Sequence, residues 1–167
     1  QLSVIRNKAI AQARFEYIIQ IDGDVILENH FIEDHMRICQ TDYFVIGSRS
    51  NLNESDTKKI LAGKQIPDNN FFKTLKRFNL NSQRNIFISK FLSDKYKVKG
   101  KNKNYAKGCN MAYWKEDAIA INGYNEQIIG WGSEDEEFVI RLFKLGKNKL
   151  FLKMGGVVFH LWHKIAS

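Results

Sequence analysis

The 167-residue sequence has little cysteine, a single proline and no long apolar run. Its two cysteines, Cys39 and Cys109, are too few for a disulfide framework and lie outside any metal-ligand spacing, which favours a reducing compartment. Because no apolar stretch reaches about 20 residues, the sequence predicts no membrane-spanning helix. With 44% hydrophobic residues, we expect a single globular domain over residues 1–167, working in the cytoplasm.

The charge is unbalanced, with a net value of +8 at pH 7. Such a surface attracts nucleic acid, anionic lipid headgroups or phosphorylated small molecules. Much of the positive charge lies between Lys58 and Lys107. Because the sequence has neither a zinc-finger spacing nor an RNA-binding aromatic signature, we expect no nucleic-acid partner.

The first fifty residues predict alternating helices and strands. Helical patterns cover Val4–Ala13 and His30–Cys39, and apolar runs at Tyr17–Ile21 and Asp42–Ser48 predict strands. The nearly continuous apolar run of the first strand is typical of a buried parallel strand with helices on both faces. This order indicates an α/β fold, and we expect that the chain lacks the first βα unit of such a sheet.

The next segment, at about 49–104, is rich in lysine and asparagine and contains Pro67. Helices are predicted around Glu54–Gly63, Asn69–Phe78 and Asn85–Asp94. We interpret the segment as a basic insertion between core strands that carries partner specificity. A solvated surface of ordinary basic character explains the same composition equally well.

The remaining chain alternates again. A strand or ordered loop is expected at Tyr105–Trp114 and a short helix at Lys115–Ile121. A capping-box pattern at Ser133–Glu136 predicts the start of a helix that ends at Gly146. One or two strands follow within Lys149–Phe159.

The sequence Asp22-Gly23-Asp24 directly follows the first predicted strand. Open α/β sheets bind ligands at the carboxyl ends of their strands. Paired carboxylates at this place suit a divalent cation that carries a phosphorylated ligand. An Asp-Gly turn without a ligand is the alternative.

Acidic residues also cluster where the last helix begins. Glu134 and Asp135 lie in its first turn, where the helix dipole lowers a carboxyl pKa and burial against Trp131 raises it. A general base needs a balance of these effects. However, acidic residues are common in any first helical turn, and Trp131 suits either a sugar-stacking surface or the core.

Two histidines, His160 and His163, stand three residues apart just after a predicted strand. This spacing allows both imidazoles to face one metal ion. Two ordinary histidines near the end of the sequence are the alternative.

In this order, the motifs resemble nucleotide-sugar glycosyltransferases of the GT-A fold, above all family 2 members with a galactosyltransferase-type C-terminal region. The resemblance implies an α/β, GT-A (Rossmann-like) mixed sheet with flanking helices. It lies in these motifs: Arg6-Asn7-x-Ala9, Asp22-Gly23-Asp24, Lys107-Gly108-x-Asn110-Met111, Asn122-Gly123-Tyr124, Gly130-Trp131-Gly132-x-Glu134-Asp135 and His160-x-x-His163.

The resemblance also implies roles for single residues. Asp24 would bind a divalent metal, Mn²⁺ or Mg²⁺, and His163 with His160 would complete the metal site. His160 stands where related galactosyltransferases have methionine, which is a departure from their pattern. Asp135 would be the catalytic base, with Trp131 and Glu134 holding the acceptor sugar. The implied donor-binding residues are Arg6, Asp22, Asp24, Gly108 and Asn110.

The implied activity is an inverting, metal-dependent hexosyl transfer. The donor would be a UDP-sugar and the acceptor a saccharide or glycolipid, in the synthesis of a surface polysaccharide. The basic insertion would allow peripheral contact with the inner face of a membrane. A catalytically incomplete saccharide-binding module is the alternative, because without the first βα unit the chain alone would bind its donor poorly or be inactive.

Overall fold

Two β-sheets flanked by helices make up residues 2–63, 80–128 and 133–164, which a computed structural model describes. The strands are β1 (Tyr17–Gln20), β2 (Val25–Leu27), β3 (Tyr43–Gly47), β4 (Arg49–Asn51), β5 (Met111–Trp114), β6 (Asn148–Leu152) and β7 (Val158–His160). The helices are α1 (Leu2–Gln12), α2 (Phe31–Ile38), α3 (Glu54–Leu61), α4 (Ile86–Leu92), α5 (Lys115–Ala120) and α6 (Glu134–Lys144), with short 3-10 turns at Leu80–Ser82 and Gly100–Asn102. The α/β class and the mixed sheet with flanking helices are confirmed.

The larger sheet has the strand order β1-β5-β3-β6, in which only the β3–β6 pair is parallel. The prediction of a buried parallel strand at β1 is therefore wrong. In the described part of the chain β1 is an edge strand, antiparallel to β5, and its four residues are half-buried. Its continuous apolar run has another cause, since Ile18 packs on one face of the sheet while Tyr17 and Ile19 pack on the other.

The smaller sheet consists of three strands of three residues each, with β7 between β2 and β4. β7 is antiparallel to β2 and parallel to β4. Sequence patterns did not predict β2 or β4, because three residues are too few to show a period of two. β4 lies at the start of the segment 49–104, so this segment begins with a sheet strand.

The hydrophobic core lies on both faces of the larger sheet, because alternate residues of a strand point to opposite faces. Phe44 and Ile46 join one cluster with side chains of α1, α5 and α6, whereas Val45 joins the other cluster with Ile38 of α2. Phe138 and Leu142 of α6 are fully buried in the first cluster. This packing fixes α1 and α6 on the same face of the sheet.

The predicted helices are found, with small changes at their ends. α1, α2, α3, α4, α5 and α6 lie within or close to the predicted ranges, and Gly146 follows α6 with a φ of +90°. The capping box at Ser133–Glu136 is wrong, because the Ser133 side chain makes no capping hydrogen bond. The helix predicted at Asn69–Phe78 lies outside the described residues. Within the ranges that the structure covers, no helix is long and apolar enough to cross a bilayer.

A buried polar cluster joins α2 to the residue that follows β3 and to the turn before β7. The Asn110 amide nitrogen donates to the carbonyls of Ser48 at 2.8 Å and Gly156 at 2.7 Å. The Asn110 side-chain oxygen is 2.9 Å from His35 Nε2, so His35 donates to it. Asp34 accepts from the Gly156 N–H at 2.9 Å, which ties the same turn to α2.

Burial lowers the pKa of His35 to about 4, although the hydrogen bond to Asn110 and the charge of Asp34 oppose this shift. The unfolded chain has a histidine pKa near about 6.5 and binds the proton more readily. This neutral, buried His35 therefore contributes stability above about pH 6.5 that decreases as the pH falls toward 4.

We expect the free energy of unfolding to fall between pH 7 and pH 4 by on the order of 3 kcal/mol more in the wild type than in His35→Gln. Glutamine retains a donor for the Asn110 oxygen but does not titrate. Denaturant unfolding at both pH values measures the difference, with the exposed His30→Gln as the matched control. Equal losses in the wild type and His35→Gln would contradict this account of the cluster.

Candidate active site

The register of β2 against β7 brings Asp24 to the two histidines. Val25 pairs with His160, and the Leu161 N–H donates to the Asp24 carbonyl at 2.9 Å. Consequently Asp24 Oδ2 lies 3.3 Å from Nε2 of His160 and 3.3 Å from Nε2 of His163. Residues more than 130 positions apart in the chain thus form one cluster.

The side chains of this cluster could together hold a divalent cation. One ligand atom from each of Asp24, His160 and His163 lies within 4.8 Å of the others. Asp24 Oδ1 is buried and has no hydrogen-bond partner, so it remains available to a ligand. Burial lowers the pKa of His160, against the opposing charge of Asp24, and this favours the neutral imidazole that binds metals.

Arg6 of α1 forms the centre of a second charged cluster. Its Nη1 donates to Asp135 Oδ1 at 2.6 Å and to Glu134 Oε1 at 3.0 Å, and its Nη2 lies 3.6 Å from Asp22 Oδ1. The side chain is buried, and its guanidinium carbon lies 5.0 Å from the Tyr124 ring centroid. Arg6 thereby joins the start of α6 to the loop after β1, and it contacts carboxylates on both sides.

Asp135 is a half-buried carboxylate, and both of its oxygens accept hydrogen bonds. Oδ2 accepts from the Gly108 N–H at 2.7 Å, and Oδ1 accepts from Arg6 and, at 3.4 Å, from the Tyr124 hydroxyl. Burial raises the pKa of Asp135, and the Arg6 charge and the Gly108 hydrogen bond partly offset the increase. A carboxylate with a raised pKa can accept a proton from a substrate hydroxyl.

Both clusters meet at one cleft of about 670 Å³. This volume lies in the range of small-molecule sites, about 300–1,000 Å³. Six of the predicted site residues line the cleft: Arg6, Asp22, Asp24, Gly108, Glu134 and Asp135. The cation cluster adjoins this cleft through Asp24.

Four predicted residues are not among the described residues of this lining; His160 and His163 adjoin the cleft through Asp24, and the other two are Asn110 and Trp131. Asn110 is fully buried and uses its amide to hold Ser48 and Gly156, so the expected contact with the donor is corrected to a structural role. Trp131 lies outside the described residues, and its acceptor role stays a prediction.

Two cations of the cleft were not predicted as site residues. Arg49 and Lys107 both line it, and in the described ranges no carboxylate is within ion-pair distance of either one. Arg49 Nε is buried without a hydrogen-bond partner, and burial together with Arg49 lowers the pKa of Lys107. The position of Lys107 next to Gly108 in the sequence could have identified it as a site residue. Nothing in the sequence marked Arg49, because only the pairing of β4 with β7 places Arg49 at the cleft.

In this α/β fold, Asp24 of the carboxylate–histidine cluster and the half-buried Asp135 line one cleft of small-molecule size. Residues 89–164 match a family model described as the N-terminal domain of galactosyltransferase. The chain is also 23% identical, over 175 residues, to chondroitin synthase of Pasteurella multocida (strain Pm70).

These matches support a relationship to glycosyltransferases that have a galactosyltransferase-type region. The matched range 89–164 contains Gly108, Asp135 and both histidines of the cluster. The alignment to the chondroitin synthase covers 96% of this chain but 18% of that relative, so this chain corresponds to less than a fifth of the relative's length.

Gly108→Ala is expected to lower the free energy of unfolding by about 1–3 kcal/mol. A Cβ at this position would lie 2.4 Å from Arg6 Nη2 and 2.6 Å from Asp135 Oδ1, and would force the ion pair apart. Gly23→Ala is the matched control, because a Cβ there meets nothing within 4 Å. Chemical denaturation measures both variants, and equal stability of the two would show that Gly108 has no special steric role.

Proposed function

We propose that the chain forms the catalytic part of an inverting, metal-dependent glycosyltransferase. It transfers a hexosyl group from a UDP-sugar to a saccharide or glycolipid acceptor. The observation that carries the proposal is that Asp24 of the Asp24–His160–His163 cluster and the half-buried Asp135 line the same cleft. The name of the relative, a chondroitin synthase, favours an acceptor in polysaccharide synthesis.

Asp24, His160 and His163 would hold the divalent ion. Two imidazole nitrogens with one carboxylate suit Mn²⁺ better than Mg²⁺, which prefers oxygen ligands and retains several waters. When bound, the ion neutralises the charge that develops on the diphosphate leaving group. Asp22, at the rim of the same loop, is proposed to hold the donor ribose.

Arg49 and Lys107 supply positive charge on the donor side of the cleft. These half-buried cations form no ion pair among the described residues, so they repel one another and an anionic ligand between them would relieve the repulsion. A diphosphate has the required charge and several acceptor oxygens. The cations would therefore orient the leaving group toward the Asp24 cluster.

Asp135 would act as the general base. It accepts the proton of an acceptor hydroxyl, whose oxygen forms a bond to the anomeric carbon of the donor. The bond from that carbon to the diphosphate oxygen breaks, and UDP leaves with the electron pair. Glu134 lines the cleft and shares Arg6 with Asp135, so acceptor binding and the base would depend on the same cation.

A saccharide-binding module without catalysis is the second candidate. It is favoured by the contacts of Asp135, since both of its oxygens already accept hydrogen bonds. Titration calorimetry separates the two functions. Metal-dependent affinity for UDP supports the transferase, whereas glycan binding without such affinity supports the module.

We expect Mn²⁺ affinity, measured by calorimetry, to weaken at least about tenfold in Asp24→Asn and in His163→Gln. His30→Gln is the matched control, because its Nδ1 lies 3.2 Å from the Glu28 carboxylate in another histidine–carboxylate pair. In the full-length protein, release of UDP from a UDP-sugar should require Mn²⁺ and should be lost in Asp24→Asn. Unchanged turnover in Asp24→Asn would show that the metal assignment is wrong.

The acid limb of the pH profile of kcat/KM should follow Asp135, because only its ionised form accepts the proton. Arg6→Gln removes the nearest cation, so it raises the pKa of Asp135 and moves this limb to higher pH. The facing groups Asp22, Glu134 and Tyr124 remain in place. The variant Arg37→Gln, at an exposed position, is the control. An acid limb of the kcat/KM profile that is not shifted in Arg6→Gln would argue against Asp135 as the base.

A further inference from the structure

Helix α4 presents apolar side chains to solvent. Phe87 is 85% exposed and Phe91 is 65% exposed, and Ile88 is exposed beside them. Residues four apart lie on the same side of a helix, so the two aromatic rings form one surface. We call Phe87, Ile88 and Phe91 the phenylalanine face. Exposed apolar side chains that form a contiguous patch mark interaction sites more often than scattered ones do.

The phenylalanine face is held in place by the fold. The Asn85 N–H donates to the Met154 carbonyl at 2.8 Å before α4, and the Phe151 N–H donates to the Ser93 carbonyl at 2.8 Å after it. Ser89 on the opposite side of the helix is buried. Since both ends are anchored next to β6, the rings are exposed by a folded helix and not by a frayed segment.

Lysine side chains follow the phenylalanine face along the chain. Between residues 80 and 107 the sole acidic residue is Asp94. Lys95 Nζ lies 3.6 Å from the Phe91 ring centroid, so positive charge directly adjoins the apolar surface. The exposed lysines of this segment are Lys90, Lys95, Lys99, Lys101 and Lys103.

Lys90 and Lys95 line one surface together with Phe91. We propose that the phenylalanine face and these two lysines bind the surface of an anionic lipid bilayer. Aromatic rings insert at the boundary between headgroups and acyl chains, and lysines beside them attract anionic headgroups. A headgroup layer supplies anions wherever the lysines lie, whereas a protein partner would need acidic groups matched to each of them. The inference does not depend on the transferase activity.

Sedimentation of the chain with vesicles tests the proposal without donor or acceptor. We expect binding to vesicles of phosphatidylcholine with phosphatidylglycerol, and little binding to phosphatidylcholine alone. Phe87→Ser and Phe91→Ser should each weaken partitioning by about tenfold. Lys95→Gln should weaken it about fivefold, and added salt should weaken binding of the wild type.

Phe15→Ser is the matched control, because Phe15 is 78% exposed but lies between α1 and β1. It should leave vesicle binding unchanged, and circular dichroism should show that all variants are folded. Equal binding to neutral vesicles, or equal losses in Phe15→Ser and Phe87→Ser, would overturn the proposal. Self-association of the wild type that Phe87→Ser abolishes would also overturn it, because a second copy would then be the partner.

Discussion

The buried guanidinium of Arg6 is the interaction on which the candidate site depends. It contacts the carboxylates of Asp22, Glu134 and Asp135, which belong to the loop after β1 and to the first turn of α6. Three carboxylates so close together would repel one another without this cation. Arg6 can reach all three because α1 and α6 pack on the same face of the larger sheet. The charge balance of the cleft is therefore a consequence of how the core is packed.

The metal-type cluster depends on a different constraint, the register of the smaller sheet. β7 carries His160, and the turn before β7 is held by the buried amide of Asn110 and by Asp34. Because β7 pairs with β2, the contacts that fix the turn before β7 also hold His160 next to Asp24. Asn110, which was expected to bind donor, thus acts on the site from a distance through the backbone. The two clusters have separate supports, and they meet only at the cleft.

The sequence predicted the α/β class, most helix positions and the residues of both clusters, because motifs such as Asp22-Gly23-Asp24 carry chemistry in a few adjacent residues. It did not predict the antiparallel pairing of β1, because an edge strand that packs on both faces has the same continuous apolar run as a buried parallel strand. The strands β2 and β4 were too short to give a pattern. Arg49 was missed for the same reason, because its place in the cleft is set by pairing across the chain. The partners of Arg6 could not be predicted, because an arginine in a helix shows no sign of which carboxylates will surround it.

The central claim is that Asp135, held by Arg6, serves as a single base in an inverting transfer. A single base without a covalent enzyme intermediate requires attack from the side opposite to the leaving group, so the product linkage must have the configuration opposite to that of the donor. The most direct measurement is proton NMR of the anomeric signal formed by the full-length protein from a UDP-sugar and a saccharide acceptor with Mn²⁺. The account predicts inversion at the anomeric carbon, and a product that retains the donor configuration would contradict it.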